Sequence, residues 1–161
     1  MTEASIERGA PALAAAETRI SAPIELVWQV LTDLQGWPGW NKDVSRMVVS
    51  GPIAPGSEFR RKSGGAGIVS TIREVSSLTR IAWTGRTMSI RAVHVWRFAR
   101  QENATLVQTE ESFSGLLPQI LPGMMRNMLR RTLEKGLGYL KVECEKRATR
   151  NDAQVHQERT A

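Results

Sequence analysis

With 161 residues, 41% hydrophobic and 24% charged, the chain has the make-up of one globular domain, long enough to bury about two thirds of its unfolded surface. No apolar run approaches the ~18 residues of a membrane helix, and the Ala-rich patch Ala10–Ala16 has Glu3, Glu7 and Glu17 around it and no basic segment ahead, which argues against a signal peptide. A single cysteine, Cys144, excludes an intramolecular disulfide and fits a cytoplasmic setting, while the net charge of +6 is dispersed over the arginines without a cluster, so no nucleic-acid partner is expected.

Residues 1–16 lack periodicity and read as a flexible N-terminal tail. Glu17–Ala22 alternates weakly and reads as a first strand. Ser21 is placed to cap a helix with Pro23 in its first turn, and Val27, Val30, Leu31 and Leu34 give that helix a buried side. Gly36 stops it. The following GWPGWN, with two turn signals, predicts a short second helix or tight turn in which Trp37 and Trp40, like Trp28 before them, serve as packing anchors.

From Lys42 to Gly115 the apolar period changes from 3.6 to two. Strands are predicted over Asp43–Ser50, Ser57–Lys62, Gly67–Val75, Thr79–Thr87, Ser89–Arg100 and Ala104–Ser114. Short Gly-, Pro-, Ser- and Asn-bearing connections between them imply an antiparallel meander. Pro122 to Arg147 then reads as one long helix. Leu117, Leu121, Met125, Leu129, Leu133, Leu137, Leu140 and Cys144 form its apolar stripe and that of the turn before it, while Leu116, Ile120, Met124 and Met128 form a second apolar line over its first half and the same turn. Residues 148–161 turn polar and read as a disordered tail, leaving 17–147 as a single domain.

Such a sheet has one face to bury, and only the long helix is large enough to cover it. Alternation puts Ile90, Ala92, His94, Trp96 and Phe98 on the inner face of one strand and Thr105, Val107, Thr109, Glu111 and Phe113 on that of the next. A turn centred near Gln101-Glu102 would pair His94 with Thr109 and leave His94 and Glu111 as diagonal neighbours. Phe59, Ile68, Ser70, Ile72, Ile81 and Trp83 point the same way. The expected interior is a pocket with an aromatic wall of Phe59, Trp83, Trp96, Phe98 and Phe113. Its ceiling is Ile120, Met124, Met125 and Met128, and Ile72, Ser70, Thr109, His94 and Glu111 complete it. His94 and Glu111 are the candidate acid/base pair: deprotonation beside a carbonyl needs a base titrating near the working pH. The alternative is a hydrogen-bonded pair that merely satisfies itself inside the sheet.

Several segments carry a family resemblance. ISAPIELVWQVLTDLQGWPGW, GSEF, STIREV, RIAWTG, HVWRF and ATLVQTEESFSG, in this order and followed by the long helix, resemble the polyketide cyclase/dehydrase branch of the START-like (SRPBCC) superfamily. The resemblance implies an α+β helix-grip fold. A curved antiparallel sheet of about seven strands would carry two short helices after strand 1 and a long C-terminal helix over the concave face. His94, Trp96, Phe98, Thr105, Glu111 and Gly115 match recurrent positions of that branch. The superfamily shares no catalytic residue, so the resemblance transfers none.

The expected function is binding of a lipid, polyketide or similar hydrophobic molecule as carrier or sequestering protein. A cyclase/dehydratase is the second expectation, and an interaction module using the basic outer face a third. No metal or other cofactor is expected: two histidines and one cysteine far apart do not make a metal site, and Gly64-Gly65-Ala66-Gly67 lacks the lysine and helix of a phosphate loop. The expected assembly is a monomer or weak homodimer, with Val93 and Val95 able to meet another subunit. Gly136 and Gly138, each costing about 1 kcal/mol against alanine in a helix, imply close packing or a bend that opens the roof.

Overall fold

The computed structural model of the protein describes residues 5–159. Seven antiparallel strands form one sheet in the order β1-β7-β6-β5-β4-β3-β2. They are β1 (Ala12–Ile20), β2 (Val44–Ser50), β3 (Glu58–Ser63), β4 (Ala66–Ser76), β5 (Arg80–Thr87), β6 (Ile90–Gln101) and β7 (Ala104–Gly115). Between β1 and β2 lie helix α1 (Ile24–Thr32) and a 3-10 helix over Leu34–Gly39. A single helical turn, α2 (Leu116–Ile120), precedes the long helix α3 (Pro122–Glu158). The period-two segments fold as the predicted meander because each strand is followed by a connection too short for a crossover.

Three boundaries differ from expectation. β1 begins at Ala12, inside the supposed tail, and pairs with β7 from Ala12↔Phe113 to Ile20↔Thr105. Ala12 and Ala14 are buried, so these small side chains occupy the inner face where α3 comes closest to the sheet; runs of alanine show no hydrophobic alternation to betray such a strand. Residues 5–11 are not free either. Ile6 is buried with Ala82 and Val95 on the convex face, beside Val93 and Leu13, the Glu7 N–H donates to Ser112 Oγ (3.3 Å), and Arg8 pairs with Glu110. The valines offered to another subunit are therefore packed against the chain's own N-terminal segment. At the other end α3 continues eleven residues past Arg147, to Glu158. Its apolar stripe runs on from Cys144 only to Ala148, which packs half-buried against the main core, and the added turns are held by good helix formers such as Arg150 and Gln154.

Ser21 is not the helix cap. Pro23 holds that position without a side-chain bond, and the Ser21 N–H instead donates to Glu145 Oε1 (2.9 Å) on α3. Met125, Leu129, Leu133, Leu137, Leu140 and Cys144 are all buried against the sheet; each large member contributes about 2 kcal/mol of transfer free energy. Five of them divide into two groups. Leu137, Leu140 and Cys144 join the main core, whereas Leu129 and Leu133 pack separately with Ala14 and Phe113. The site lies beside the break between them.

Candidate functional site

β6 and β7 are joined by a two-residue turn at Glu102-Asn103, with Gln101 opposite Ala104. The expected turn lay one residue earlier, so the observed register is displaced by two along β7. A shift of two leaves every side chain on its face but changes every partner. His94 is opposite Glu111, Trp96 opposite Thr109 and Phe98 opposite Val107. Across the concave face one row runs Ile72, Trp83, His94, Glu111, Ala14.

His94 is fixed from both sides. Its Nε2 is 2.7 Å from Thr109 Oγ1, and that hydroxyl lies 3.4 Å from the Val95 carbonyl. With the Thr109 O–H donating to Val95 and the His94 Nε2–H donating to Thr109, Nδ1 keeps its lone pair toward Glu111, whose Oε1 is 3.5 Å away. The ring stacks on Trp96 at 5.0 Å between centroids and meets Trp83 edge-on at 5.1 Å.

Arg61 is the site residue that sequence reasoning missed. It follows Phe59 by two on β3 and so shares the inner face, with its guanidinium carbon 5.9 Å from the Phe59 ring centroid. β3 and β6 are three strands apart in the sheet, on the order of 14 Å if the sheet were flat. Curvature and the length of the side chain bring the guanidinium within electrostatic reach of both Glu111 and His94.

These groups meet at a cavity of about 60 Å³ between sheet and α3. From the sheet side it is lined by Arg61, Ser63, His94, Trp96 and Glu111. Trp37, Trp40 and Asp43 come from the segment before β2, and Thr132, Leu133 and Gly136 from α3. Arg61 Nη1, His94 Nδ1 and Trp96 Nε1 are buried there without a hydrogen bond to any described protein group. Three unsatisfied polar atoms around one void are uncommon, because each forfeits a solvation free energy of about 1–3 kcal/mol.

Other predicted pocket residues lie elsewhere. Phe59, Ile72, Trp83 and Phe98 are packed core, and Ser70 is buried among them rather than on the cavity wall. Phe113 is half-buried against Ala14, Leu129 and Leu133. Met125 is buried, but Ile120 (63% exposed), Met124 (54%) and Met128 (44%) point away from the sheet, so no methionine ceiling exists. Two recurrent motif positions have structural duties: Thr105 Oγ1 donates to the Ala22 carbonyl (2.9 Å), and Gly115, at φ +115°, presses on the Ser89 carbonyl.

Burial dominates the site's electrostatics. It pushes Glu111 up to about 7, against a smaller downward pull from Arg61. Burial, and then Arg61, holds His94 well below its ordinary value, so the ring is neutral at physiological pH. Burial also lowers Arg61, while Glu111 supports its charge. The pair is thus a neutral imidazole beside a carboxyl poised near neutrality. Cys144, pushed up to about 12 by burial, is an inert packing thiol.

At the rim, Lys135 Nζ on α3 donates to Asp43 Oδ1 (3.0 Å), tying the helix to the loop before β2. Next to it, a Cβ on Gly136 or Gly138 would meet nothing within 4 Å. Close packing therefore does not require either glycine. Among the described residues no three His, Cys, Asp or Glu side chains come together as metal ligands, and no helix is long and apolar enough to cross a membrane.

A family model described as polyketide cyclase / dehydrase and lipid transport matches residues 12–145. Three solved structures are similar. A hypothetical protein from Helicobacter pylori is 17% identical with TM-score 0.76, over 86% of this chain and 91% of its own. A START superfamily protein from Mycobacterium smegmatis is 16% identical with TM-score 0.73, over 83% and 97%. The Zhui aromatase/cyclase from Streptomyces sp. R1128 is 17% identical with TM-score 0.74, over 84% and 94%. At these identities the likeness establishes the helix-grip, START-like fold. No curated protein sequence matches.

Proposed function

Because the chain belongs to the polyketide cyclase / dehydrase and lipid transport family, we propose that it binds a hydrophobic small molecule between the sheet and α3, its polar end against Arg61, His94 and Glu111. The observation that carries this reading is that Arg61, His94 and Trp96, each with a buried unpartnered nitrogen (Nη1, Nδ1 and Nε1), line the same small cavity. A ligand oxygen would satisfy atoms that the fold leaves unsatisfied.

The void of about 60 Å³ is far below the roughly 300–1,000 Å³ of ordinary ligand pockets. The closed form admits only the head of a ligand. Entry of a larger body requires α3 to lift at Gly136 with release of the Lys135–Asp43 contact. Titration with dodecanoate, followed by tryptophan emission, tests this. Saturable one-to-one binding that is lost in Gly136→Leu, whose Cβ has open space and whose longer side chain would occupy the mouth, supports the reading. Unsaturable binding, or equal binding by that variant, contradicts it.

A second reading, cyclase/dehydratase chemistry, is favoured by Glu111 being pushed up to about 7. A carboxylate titrating there can remove a proton beside a carbonyl and return it, with the Arg61 guanidinium facing the developing enolate oxygen. Proton-for-deuterium exchange at the central carbon of ethyl acetoacetate reports this step. A rate above buffer background that rises toward pH 7 and vanishes in Glu111→Gln supports catalysis. Background exchange with dodecanoate binding intact leaves the carrier reading alone.

A further inference from the structure

Arginines that lie far apart in the sequence meet on the convex side of the sheet. Phe59, Ile72, Trp83 and His94 face inward, so strand alternation turns Arg60 on β3, Arg86 on β5 and Arg91 on β6 outward. Strand pairing sets Arg60, Val69, Arg86, Arg91 and Ser114 in one row.

Arg86 and Arg91 stand directly opposite each other beside the β5–β6 turn. Like charges in that relation are destabilising, and neither forms an ion pair among the described residues. Elsewhere on this face arginines are neutralised: Arg80 pairs with Glu74, and Arg8 and Arg97 share Glu110. Folding does not explain an opposed and uncompensated arginine pair.

The pair borders a recess. An open trough of about 700 Å³ crosses the convex face, within the roughly 300–1,000 Å³ of ligand pockets. Thr71, Thr84 and Val93 form the row next to the arginines. Arg73 also lines the trough, and its Nε donates to Thr84 Oγ1 (3.0 Å), which steadies the side chain and leaves its terminal nitrogens unbonded. The N-terminal segment supplies a wall: Ile6 is buried against Ala82 and Val95, and Glu7 lines the trough while its N–H donates to Ser112 Oγ.

This chemistry selects a ligand class. Two adjacent guanidinium groups match a phosphoryl dianion, each able to donate two hydrogen bonds to its oxygens. The Thr71 and Ser114 hydroxyls, unbonded to any other described group, are further donors. Glu58 lines the trough from β3 and Glu7 from the N-terminal segment. A chain of phosphates crossing the trough would meet both carboxylates, whereas the hydroxyls of a small phosphate ester could donate to them. No aromatic side chain lines the trough, so a base would find no stacking partner.

We propose that the trough binds a small polyhydroxylated phosphate monoester of the sugar-phosphate kind, its phosphoryl group held between Arg86 and Arg91 and its hydroxyls toward the two carboxylates. This goes beyond the hydrophobic-ligand reading, lies on the opposite face of the sheet from the cavity and uses none of the cavity residues.

Isothermal titration of the full chain with ribose 5-phosphate, ribose and inorganic phosphate tests the proposal, with Arg86→Gln/Arg91→Gln as the site variant. Arg46→Gln/Lys62→Gln removes the same charge from another opposed pair outside the trough and is the control. The expected result is saturable one-to-one binding of ribose 5-phosphate, weaker binding of inorganic phosphate and none of ribose. Ribose 5-phosphate affinity should fall at least about tenfold in the site variant and less than about twofold in the control. The site variant should melt no lower than wild type, because an opposed charge pair has been removed. Absence of saturable ribose 5-phosphate binding, binding retained by the site variant, or equal losses in both variants overturns the proposal. So does tighter binding of a DNA duplex that both variants weaken alike, which would make this side a general polyanion surface.

Discussion

Glu111 Oε1 and His94 Nδ1 face each other at 3.5 Å across directly paired strands, both side chains buried. Neither is held by a fixed countercharge of its own; Arg61 acts on both from across the curved sheet. Such a pair can take up or release a proton without breaking a salt bridge.

The stability of the protein should record that proton. Glu111 titrates at about 7 in the fold against 4.5 ordinarily. Between those values the folded chain holds a proton that the unfolded chain has released. This contribution is complete below about pH 4.5 and lost as pH rises through 7, amounting to about 3 kcal/mol. His94, lowered well below 6.5, acts oppositely: its contribution is present above 6.5 and lost as pH falls through the lower folded value. Comparing wild type with Glu111→Gln isolates the first slope. The stability of the variant relative to wild type, from urea denaturation, should grow by about 3 kcal/mol from pH 4.5 to pH 8; a constant gap would show that Glu111 ionises normally.

Gly136 offers a test of opening. With open space beside it, Gly136→Ala should raise stability by about 1 kcal/mol and slow dodecanoate association in stopped flow. Lys135→Ala should change stability by less than about 1 kcal/mol, because the Lys135–Asp43 pair is solvated, yet speed association. Opposite rate effects with small stability changes identify a gate. Unchanged rates in both variants would show entry by another route.

At Gly115 the backbone geometry is limiting. A Cβ there would lie 2.1 Å from the Ser89 carbonyl oxygen at φ +115°, so Gly115→Ala should cost about 3 kcal/mol or more. Urea denaturation showing a loss below 1 kcal/mol would mean that the β5–β6 turn readily moves away.

The order of elements was legible because alternation and helical periodicity are strong over segments this long. The inner face of β6 and β7 was legible for the same reason. The partners on it were not: registers two residues apart bury the same side chains, and only the turn at Glu102-Asn103 distinguishes them. Arg61 was within reach of the same rule, two residues beyond Phe59, but its charge argued for solvent. The strand at Ala12–Ala16 has no polar alternation to announce it. For the methionine line, periodicity defines a helix face but not what lies over it. Met124 and Met128 look the same in sequence whether they roof a cavity or meet solvent.

Thr109→Val removes the hydroxyl 2.7 Å from His94 Nε2 while keeping the shape. An unpaired buried ring nitrogen should then cost about 1–3 kcal/mol, and the His94 titration, followed by NMR, should shift. Unchanged stability and titration would mean that the ring is held by its stacking on Trp96 alone.

The most direct test of ligand binding is native mass spectrometry of the protein purified from its own source. Wild type should carry a small hydrophobic molecule that organic solvent releases, and Gly136→Leu, prepared identically, should lack it. Bare protein mass for both, or the same adduct on both, would contradict a ligand site beneath α3.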